Sequence, residues 1–356
     1  MLEGPGDIGS IIMQAEVLAG ELPVQAQKTV EAAVPRFAVI VPTLNAGPAW
    51  HDWLAALAQQ DSRPQRVLVI DSSSNDDTVA EARAAGHETH VIARSTFNHG
   101  ATRQLAAHLM HDVDVLVYMT QDAILAAPDA LRMLVAGFRD PTLGAAYGRQ
   151  LPRPGATPIE AHARLFNYPA CSHRVPASEA TTWGIKAPFL SNSFSAYRRA
   201  ALLAVGGFPS HTIQSEDMFA GARLLQGGWD LAYVAESPVY HSHDYDVRQE
   251  FQRYFDIGVF HSNESWIRDS FGHARGEGLK FVRSEMRHLL RNGPAQIPAA
   301  CMHTAAKVLG FALGLRQQRL PQTLRRRLSM QKYFWDAPVP EPVAEPQAEL
   351  PRVRSA

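Results

Sequence analysis

The chain has 356 residues, of which 46% are apolar and 19% charged, which is typical of a globular protein with one large domain or two small ones. Its net charge of -1 argues against nucleic acid as a partner. Two cysteines, Cys171 and Cys301, are too few for a disulfide framework or a cysteine-based zinc site. The N-terminus has no signal-peptide pattern, so we expect a cytoplasmic protein.

Residues 1–35 show no firm hydrophobic period and are predicted to be a mobile extension. The run from Gly4 to Gly9 matches the glycine pattern of dinucleotide-binding loops. No strand precedes it, so the match is treated as accidental.

The next part of the chain alternates apolar runs with helical patterns. Four runs read as strands, the first and last of them buried, and each is followed by a helix or a polar turn: Phe37–Val41, Arg66–Ile70, Thr89–Ala93 and Val113–Met119. Such alternation at short spacing predicts right-handed βαβ units and a parallel sheet.

Polar residues follow every one of these strands: Thr43 and Asn45, then Asp71, then Asn98 and Arg103, then Gln121 and Asp122. Any one of them alone is more typical of a helix cap or a turn. Because parallel strands end at one edge of a sheet, the set predicts a single ligand-binding cleft. The chain has no Walker loop to bind the phosphates of a nucleotide in this cleft. A divalent metal on Asp122 would therefore balance the phosphate charge.

The second half is predicted to close a mixed sheet against the first half. Residues 151–188 have little periodicity and are expected to form loops over the cleft, followed by a strand at Phe189–Ala196 and a helix at Arg198–Val205. A further helix is predicted around Met218–Leu225. Ser215 is its expected N-cap, which puts Glu216 and Asp217 in the first turn. Acids there also favour the helix dipole without any catalytic role.

His241 and His243 follow a predicted strand and point to the same side, so either could bind a metal. The alternative is an aromatic cluster with Tyr240 and Tyr245. Residues 271–336 hold 12 Lys and Arg against three acids. We expect there a basic surface on an anionic inner membrane or an ordinary helical pair, and no membrane-spanning helix, because His303 and Lys307 interrupt the apolar run.

Several motifs make the chain, from about Phe37 to Trp335, resemble the glycosyltransferases of family 2, and among them the bacterial rhamnosyltransferases. The motifs are Phe97-Asn-His-Gly-Ala-Thr-Arg103, Thr120-Gln-Asp-Ala123, Tyr147-Gly-Arg-Gln-Leu-Pro152, Phe166-Asn-Tyr-Pro169, Ser191-Asn192, Gly206-Gly-Phe208, Ser215-Glu-Asp217 and Tyr240-His-Ser-His-Asp-Tyr245. One departure is Gln121, which stands where many relatives have a further carboxylate.

The resemblance implies an α/β fold of the GT-A type, with a Rossmann-like, mostly parallel mixed sheet flanked by helices. It implies a GT-A domain at 36–265, with a nucleotide half at 36–125 and an acceptor half at 126–265. A basic helical extension at 266–336 and a disordered tail at 337–356 would follow.

The resemblance also implies roles for individual residues. Asp217 would be the general base, with Glu216 as the alternative. Asp122, with His241 as first choice and His243 as second, would hold Mg²⁺ or Mn²⁺. The donor nucleotide would be bound by a larger set of residues: Pro42, Thr43, Asn45, Asp71, Asn98, Gly100, Arg103 and Gln121.

The expected function is that of an inverting, metal-dependent transferase. It would move L-rhamnose from dTDP-L-rhamnose to a surface polysaccharide or lipopolysaccharide, through a glycan or lipid-linked glycan acceptor. A UDP- or GDP-hexose donor is the first alternative, and a non-catalytic nucleotide-sugar or glycan-binding protein is the second. A metal hydrolase built on the two histidines lacks the further ligand motif expected of one.

Overall fold

A computed structural model describes residues 35–272 and 276–336 of the chain. The predicted mobile extension, up to residue 34, and the predicted disordered tail lie outside these residues.

The first half forms the predicted parallel sheet with helices between its strands. Its elements are β1 (Phe37–Thr43), α1 (Ala49–Ala58), β2 (Arg66–Asp71), α2 (Thr78–Ala84), β3 (Glu88–Val91), α3 (His99–Leu109) and β4 (Val115–Met119). The parallel strands run in the order β3-β2-β1-β4. Alternate residues of β4 pack into two separate apolar cores, and all five are fully buried. The apolar runs of β1 and β4 were therefore strands covered on both faces, as predicted, whereas β3 at the end of the sheet is partly exposed.

The second half continues the same sheet. Its elements are β5 (Ile124–Leu125), α4 (Ala130–Ala136), β6 (Leu143–Leu151), α5 (Pro158–Asn167), β7 (His173–Val175), α6 (Ala180–Trp183), β8 (Phe194–Arg198), α7 (Arg199–Ala204), α8 (Glu216–Gln226) and β9 (Asp230–Tyr240). Strand β8 pairs antiparallel with β4, and β6, β9 and β5 follow it across the sheet. The mixed α/β sheet that the resemblance implied is confirmed.

Two local predictions for this half were wrong. The stretch expected to be loops contains helix α5, in which Pro158 stands at the start and Thr157 caps the Glu160 amide. Ser215 does not cap α8, because its backbone is left-handed, with φ of 61°, and its side chain makes no cap hydrogen bond.

The C-terminal part is helical: α9 (Val247–Asn263), α10 (Ser265–Phe271), α11 (Glu277–Asn292), α12 (Ile297–Gly314), α13 (Gln322–Leu328) and α14 (Lys332–Asp336). Helix α12 packs on α9 with backbone against backbone. A Cβ at Gly310 would lie 2.3 Å from the Phe251 oxygen, and one at Gly258 would lie 2.5 Å from the Phe311 oxygen. Only glycine fits these two places.

One prediction about this part needs correction. Among the described residues, the segment Pro294–Gly314 is long and apolar enough to cross a membrane by length and composition, although a single such helix is weak evidence of a span. His303 and Lys307 lie within this helix and do not interrupt it, and both side chains are half-buried. Lys307 forms an ion pair with Glu250 at 3.3 Å.

Candidate active site

Three residues predicted as metal ligands meet at one edge of the sheet. Antiparallel pairing of β5 with β9 sets Ile124 opposite Tyr240, so the segments just outside this pair come together. Nε2 of His241 lies 3.5 Å from one Asp122 oxygen, and Nε2 of His243 lies 3.6 Å from the other. One ligand atom from each residue lies within 4.8 Å of the others. This cluster is called the metal triad below.

The protonation states of the metal triad suit a divalent cation. Burial raises the pKa of Asp122, but the hydrogen bond and charge of protonated His241, with smaller effects of Thr120 and His243, together hold that pKa well below its usual range. Burial lowers the pKa of His241, and burial together with His241 lowers the pKa of His243 to about 4. At neutral pH the site offers a carboxylate and two neutral imidazoles, the forms that bind metals.

Gln150, which the sequence did not single out, fixes the orientation of His241. Its Oε1 accepts a hydrogen bond from Arg164 Nη1 at 2.7 Å and lies 2.9 Å from His241 Nδ1. Because an arginine can only donate, the amide atom facing both groups is the oxygen, and Nδ1 must carry the ring proton. The Nε2 lone pair of His241 is therefore free to face Asp122, which is the usual arrangement of a metal-binding histidine.

The adjacent acids Glu216 and Asp217 have different surroundings. Glu216 is buried, and its Oε1 lies 3.0 Å from Arg103 Nη1 and accepts a hydrogen bond from Asn192 Nδ2 at 2.9 Å. Burial opposes its ionisation, but the charges of Arg103 and His99 and the hydrogen bond from Asn192 together outweigh burial and lower the pKa of Glu216. Glu216 is thus an ionised partner of an internal ion pair.

Asp217 is half-buried, and no cationic side chain in the described part of the chain pairs with it. Among those residues it accepts hydrogen bonds from the main-chain N–H groups of Asn192 and Met218, at 3.1 and 2.8 Å. Burial and the neighbouring Glu216 charge raise the pKa of Asp217 to about 7. A carboxylate with that pKa can take up a proton near neutral pH.

A three-residue segment before β8 touches both the metal triad and the acids. Gln150 Nε2 donates to Ser191 Oγ at 2.8 Å, and Ser193 Oγ lies 3.5 Å from His241 Nε2. Asn192, between them, bonds both acids. The segment lies within the stretch that was predicted to be the start of a strand, but β8 begins only at Phe194. It brings Asp217 and the metal triad to the same cleft.

The predicted donor residues at the ends of β1 and β2 lie together. Thr43 Oγ1 donates to Asp71 at 2.9 Å, and the Ser74 main chain donates to the other Asp71 oxygen at 2.7 Å. Asp71 is fully buried. Pro42 is half-buried within β1, and Asn45 is exposed with a left-handed backbone, with φ of 46°.

The other predicted donor residues make structural contacts. The Gln121 side chain accepts a hydrogen bond from the Leu44 N–H and donates one to the Leu44 carbonyl. Asn98 caps α3 by accepting a hydrogen bond from the Ala101 N–H. A Cβ at Gly100 would lie 1.7 Å from the Pro209 oxygen, so this position requires glycine for packing. Arg103 is buried in its pair with Glu216 and links the two halves of the sheet.

A mixed sheet of this order, with a carboxylate and two imidazoles at the carboxyl ends of its strands, defines a glycosyltransferase of the GT-A fold. Residues 35–257 match the model of the "Glycosyltransferase like family 2". The chain belongs to this family, as its motifs predicted, and it is an enzyme that transfers sugar from a nucleotide-sugar.

Two curated relatives and one solved structure are similar over most of the chain. The O-antigen chain rhamnosyltransferase WbaN of Salmonella anatum is 47% identical over 304 residues, which is 85% of this chain and 96% of the relative. The corresponding enzyme RfbN of Salmonella typhimurium is also 47% identical, over 302 residues and with the same coverage. The mannosyltransferase PcManGT of Pyrobaculum calidifontis, solved with GDP-Man and Mn²⁺, is 23% identical with a TM-score of 0.51 and 85% of each chain covered. This last similarity supports the fold.

Proposed function

We propose that this enzyme transfers L-rhamnose from dTDP-L-rhamnose to a growing O-antigen or related bacterial surface glycan, with inversion at the anomeric carbon. The observation that carries the proposal is the 47% identity with two O-antigen chain rhamnosyltransferases over 96% of their length. The acceptor is a glycan or a lipid-linked glycan.

The chemistry assigned to the chain centres on Asp217. This carboxylate removes the proton of the acceptor hydroxyl, and the oxygen attacks the anomeric carbon from the face opposite the nucleotide while the bond from that carbon to the nucleoside diphosphate breaks. A pKa near 7 supports this role, since a base titrating near the working pH is the most effective. Glu216 is less suited because Arg103 and Asn192 occupy its carboxylate.

The metal ligands are assigned to Asp122 and His241, with His243 as the third. A bound divalent cation would neutralise charge on the departing diphosphate. Two imidazoles favour Mn²⁺ over Mg²⁺, which prefers oxygen ligands. His241 stands first because Gln150 holds its free nitrogen toward Asp122.

The donor nucleotide is assigned to the rim formed by the ends of β1, β2 and β4 and the start of α3. The residues proposed to contact it remain those of the family pattern: Pro42, Thr43, Asn45, Asp71, Asn98, Gly100, Arg103 and Gln121. Asp71 and Arg103 would have to release some present partners to do so. A base contact by Asp71 requires Thr43 or Ser74 to turn away.

We also propose that the enzyme works on the inner face of the cytoplasmic membrane. The outer surfaces of α11 and α12 expose large apolar side chains beside basic ones: Leu279, Leu290, Met302, Val308 and Leu309, with Lys280, Arg283, Arg287 and Arg291. Exposed leucines next to arginines are typical of a surface that lies on anionic lipid. This surface is called the α11–α12 face below.

A donor panel tests the proposed function. Thermal unfolding is followed with dTDP-rhamnose, UDP-glucose and GDP-mannose, because a ligand that binds only the native state raises the melting temperature. Turnover with dTDP-rhamnose is then measured against lipid-linked acceptors. We expect protection and turnover with dTDP-rhamnose. Selective protection by UDP-glucose or GDP-mannose would disprove the donor assignment.

A further inference from the structure

A cavity of about 100 Å³ adjoins the metal triad and has no assigned role. Its walls come from α5, α9, α11 and α12 and from the segment after β9 that carries His243. The C-terminal extension therefore builds part of this cavity, through Phe281, His303 and Lys307. The space suits a group of several heavy atoms rather than a whole sugar nucleotide.

Two arginines in the wall of this cavity have no carboxylate within ion-pair distance among the described residues, although Glu160 and Glu250 also line the cavity. Neither Arg164 nor Arg253 forms an ion pair with a carboxylate among the described residues, although both are half-buried. Lys307 differs from them, because Glu250 balances its charge. A partly buried guanidinium that no carboxylate contacts directly is costly, so two such groups together indicate a site that accepts an anion.

The contacts of the two arginines leave their donors available. Arg164 uses Nη1 to bond Gln150, and its Nε is buried without a partner. Arg253 donates no hydrogen bond to the described residues and lies near the rings of Tyr245 and Tyr254, at 5.8 and 5.9 Å from their centres. Burial lowers the pKa of Arg164, and the nearby Arg253 charge lowers it further.

We propose that Arg164 and Arg253 form a second anion-binding site, beside the metal triad, that takes a phosphate group. Planar guanidinium groups bind phosphate oxygens through paired hydrogen bonds, and two of them match a doubly charged group. Within the proposed function, such a group belongs either to the diphosphate of the donor or to a phosphate in the carrier of the acceptor.

The test is a calorimetric titration of the full chain with inorganic pyrophosphate in metal-free buffer. Arg253→Gln should weaken binding about 10- to 100-fold, the range expected for lost hydrogen bonds to a charged group. Arg248→Gln is the matched control, because it removes the same charge from an exposed position on the same helix. Parental affinity in Arg253→Gln, an equal loss in Arg248→Gln, or no binding by the parent would overturn the proposal.

A measurement on the parent protein covers the case in which Arg253→Gln does not fold. Crystals of the parent soaked in tungstate should show a heavy anion between the two guanidinium groups. Tungstate bound only elsewhere, or none bound at all, would overturn the proposal.

A further titration separates the two sources of phosphate. If Arg253→Gln weakens dTDP binding in the presence of Mn²⁺, the site holds the donor diphosphate. If dTDP binding is unchanged, while pyrophosphate still binds to the dTDP-saturated parent and not to the variant, the site holds a phosphate of the acceptor. Absence of turnover with dTDP-rhamnose would remove the proposed donor but would leave the pyrophosphate result intact.

Discussion

Replacing Asp217 by asparagine tests the proposed base directly. The change keeps the size of the side chain but removes the proton acceptor. General-base catalysis contributes about 10²- to 10⁴-fold, so kcat should fall within that range while donor affinity hardly changes. The Asn192 and Met218 amides that now bond the carboxylate would keep one acceptor oxygen between them.

The structure also sets the effect of this substitution on stability. Because burial raises the pKa of Asp217 to about 7, its ionisation opposes folding, and the penalty grows as pH rises from about 4 through 7. At about 1.36 kcal/mol per pKa unit, removing the charge raises the free energy of unfolding by up to roughly 4 kcal/mol above pH 7. A lost hydrogen bond costs about 1–3 kcal/mol. Asp217→Asn should therefore melt no lower than the parent at pH 8 and relatively lower at pH 5.

The assay pairs kcat with dTDP-rhamnose affinity on one preparation, as a function of pH. Parental kcat should rise with pH around an apparent pKa of about 7, and Asp217→Asn should lose this dependence. Glu216→Gln is the comparison. It should mainly lower stability, because it leaves the buried Arg103 charge without its carboxylate partner. Retention of more than about a tenth of kcat in Asp217→Asn, together with collapse in Glu216→Gln, would refute the assignment.

Three further outcomes are expected. Asp122→Ala should abolish the Mn²⁺-dependent part of dTDP binding in calorimetry, and equal affinity in mutant and parent would contradict the metal site. Gln150→Leu should weaken Mn²⁺ binding about 10- to 100-fold in metal titrations, because His241 loses the acceptor of its ring proton. Gln60→Leu, a loss of another buried glutamine, should leave the metal affinity unchanged, and an equal effect of the two would make Gln150 merely structural. The enzyme should sediment with anionic liposomes through the α11–α12 face and be released by salt, and indifference to lipid charge would exclude that face.

Much of the fold could be predicted from local patterns. The apolar runs of β1 and β4 identified central strands, and Asp122 was correctly expected near the edge where parallel strands end. Helix α5 was missed because its amphipathic pattern lies in a stretch with several prolines, although Thr157 and Pro158 are a recognisable start signal.

The partners of each polar group could not be predicted from the sequence. Arg103 and Glu216 are more than a hundred residues apart, and nothing local indicates that they form a pair. Gln150 belongs to a motif that was noticed, but its bond to His241 depends on how β6 lies beside β9. The different surroundings of Glu216 and Asp217 likewise come from tertiary contacts. The sequence pattern alone identified candidate residues but did not indicate which role each of them has.

The backbone contact between α9 and α12 has a mechanical consequence. With glycines 258, 310 and 314 at the crossing, the two helices lie too close to slide or separate without opening a gap that no side chain fills. Helix α9 begins four residues after His243, so its close packing on α12 holds the C-terminal extension next to the metal triad. If the α11–α12 face rests on a bilayer, the height of the metal triad above the lipid is fixed by the protein. An acceptor must then have a carrier long enough to reach that height, so the length of the carrier would select among acceptors before any contact with the sugar.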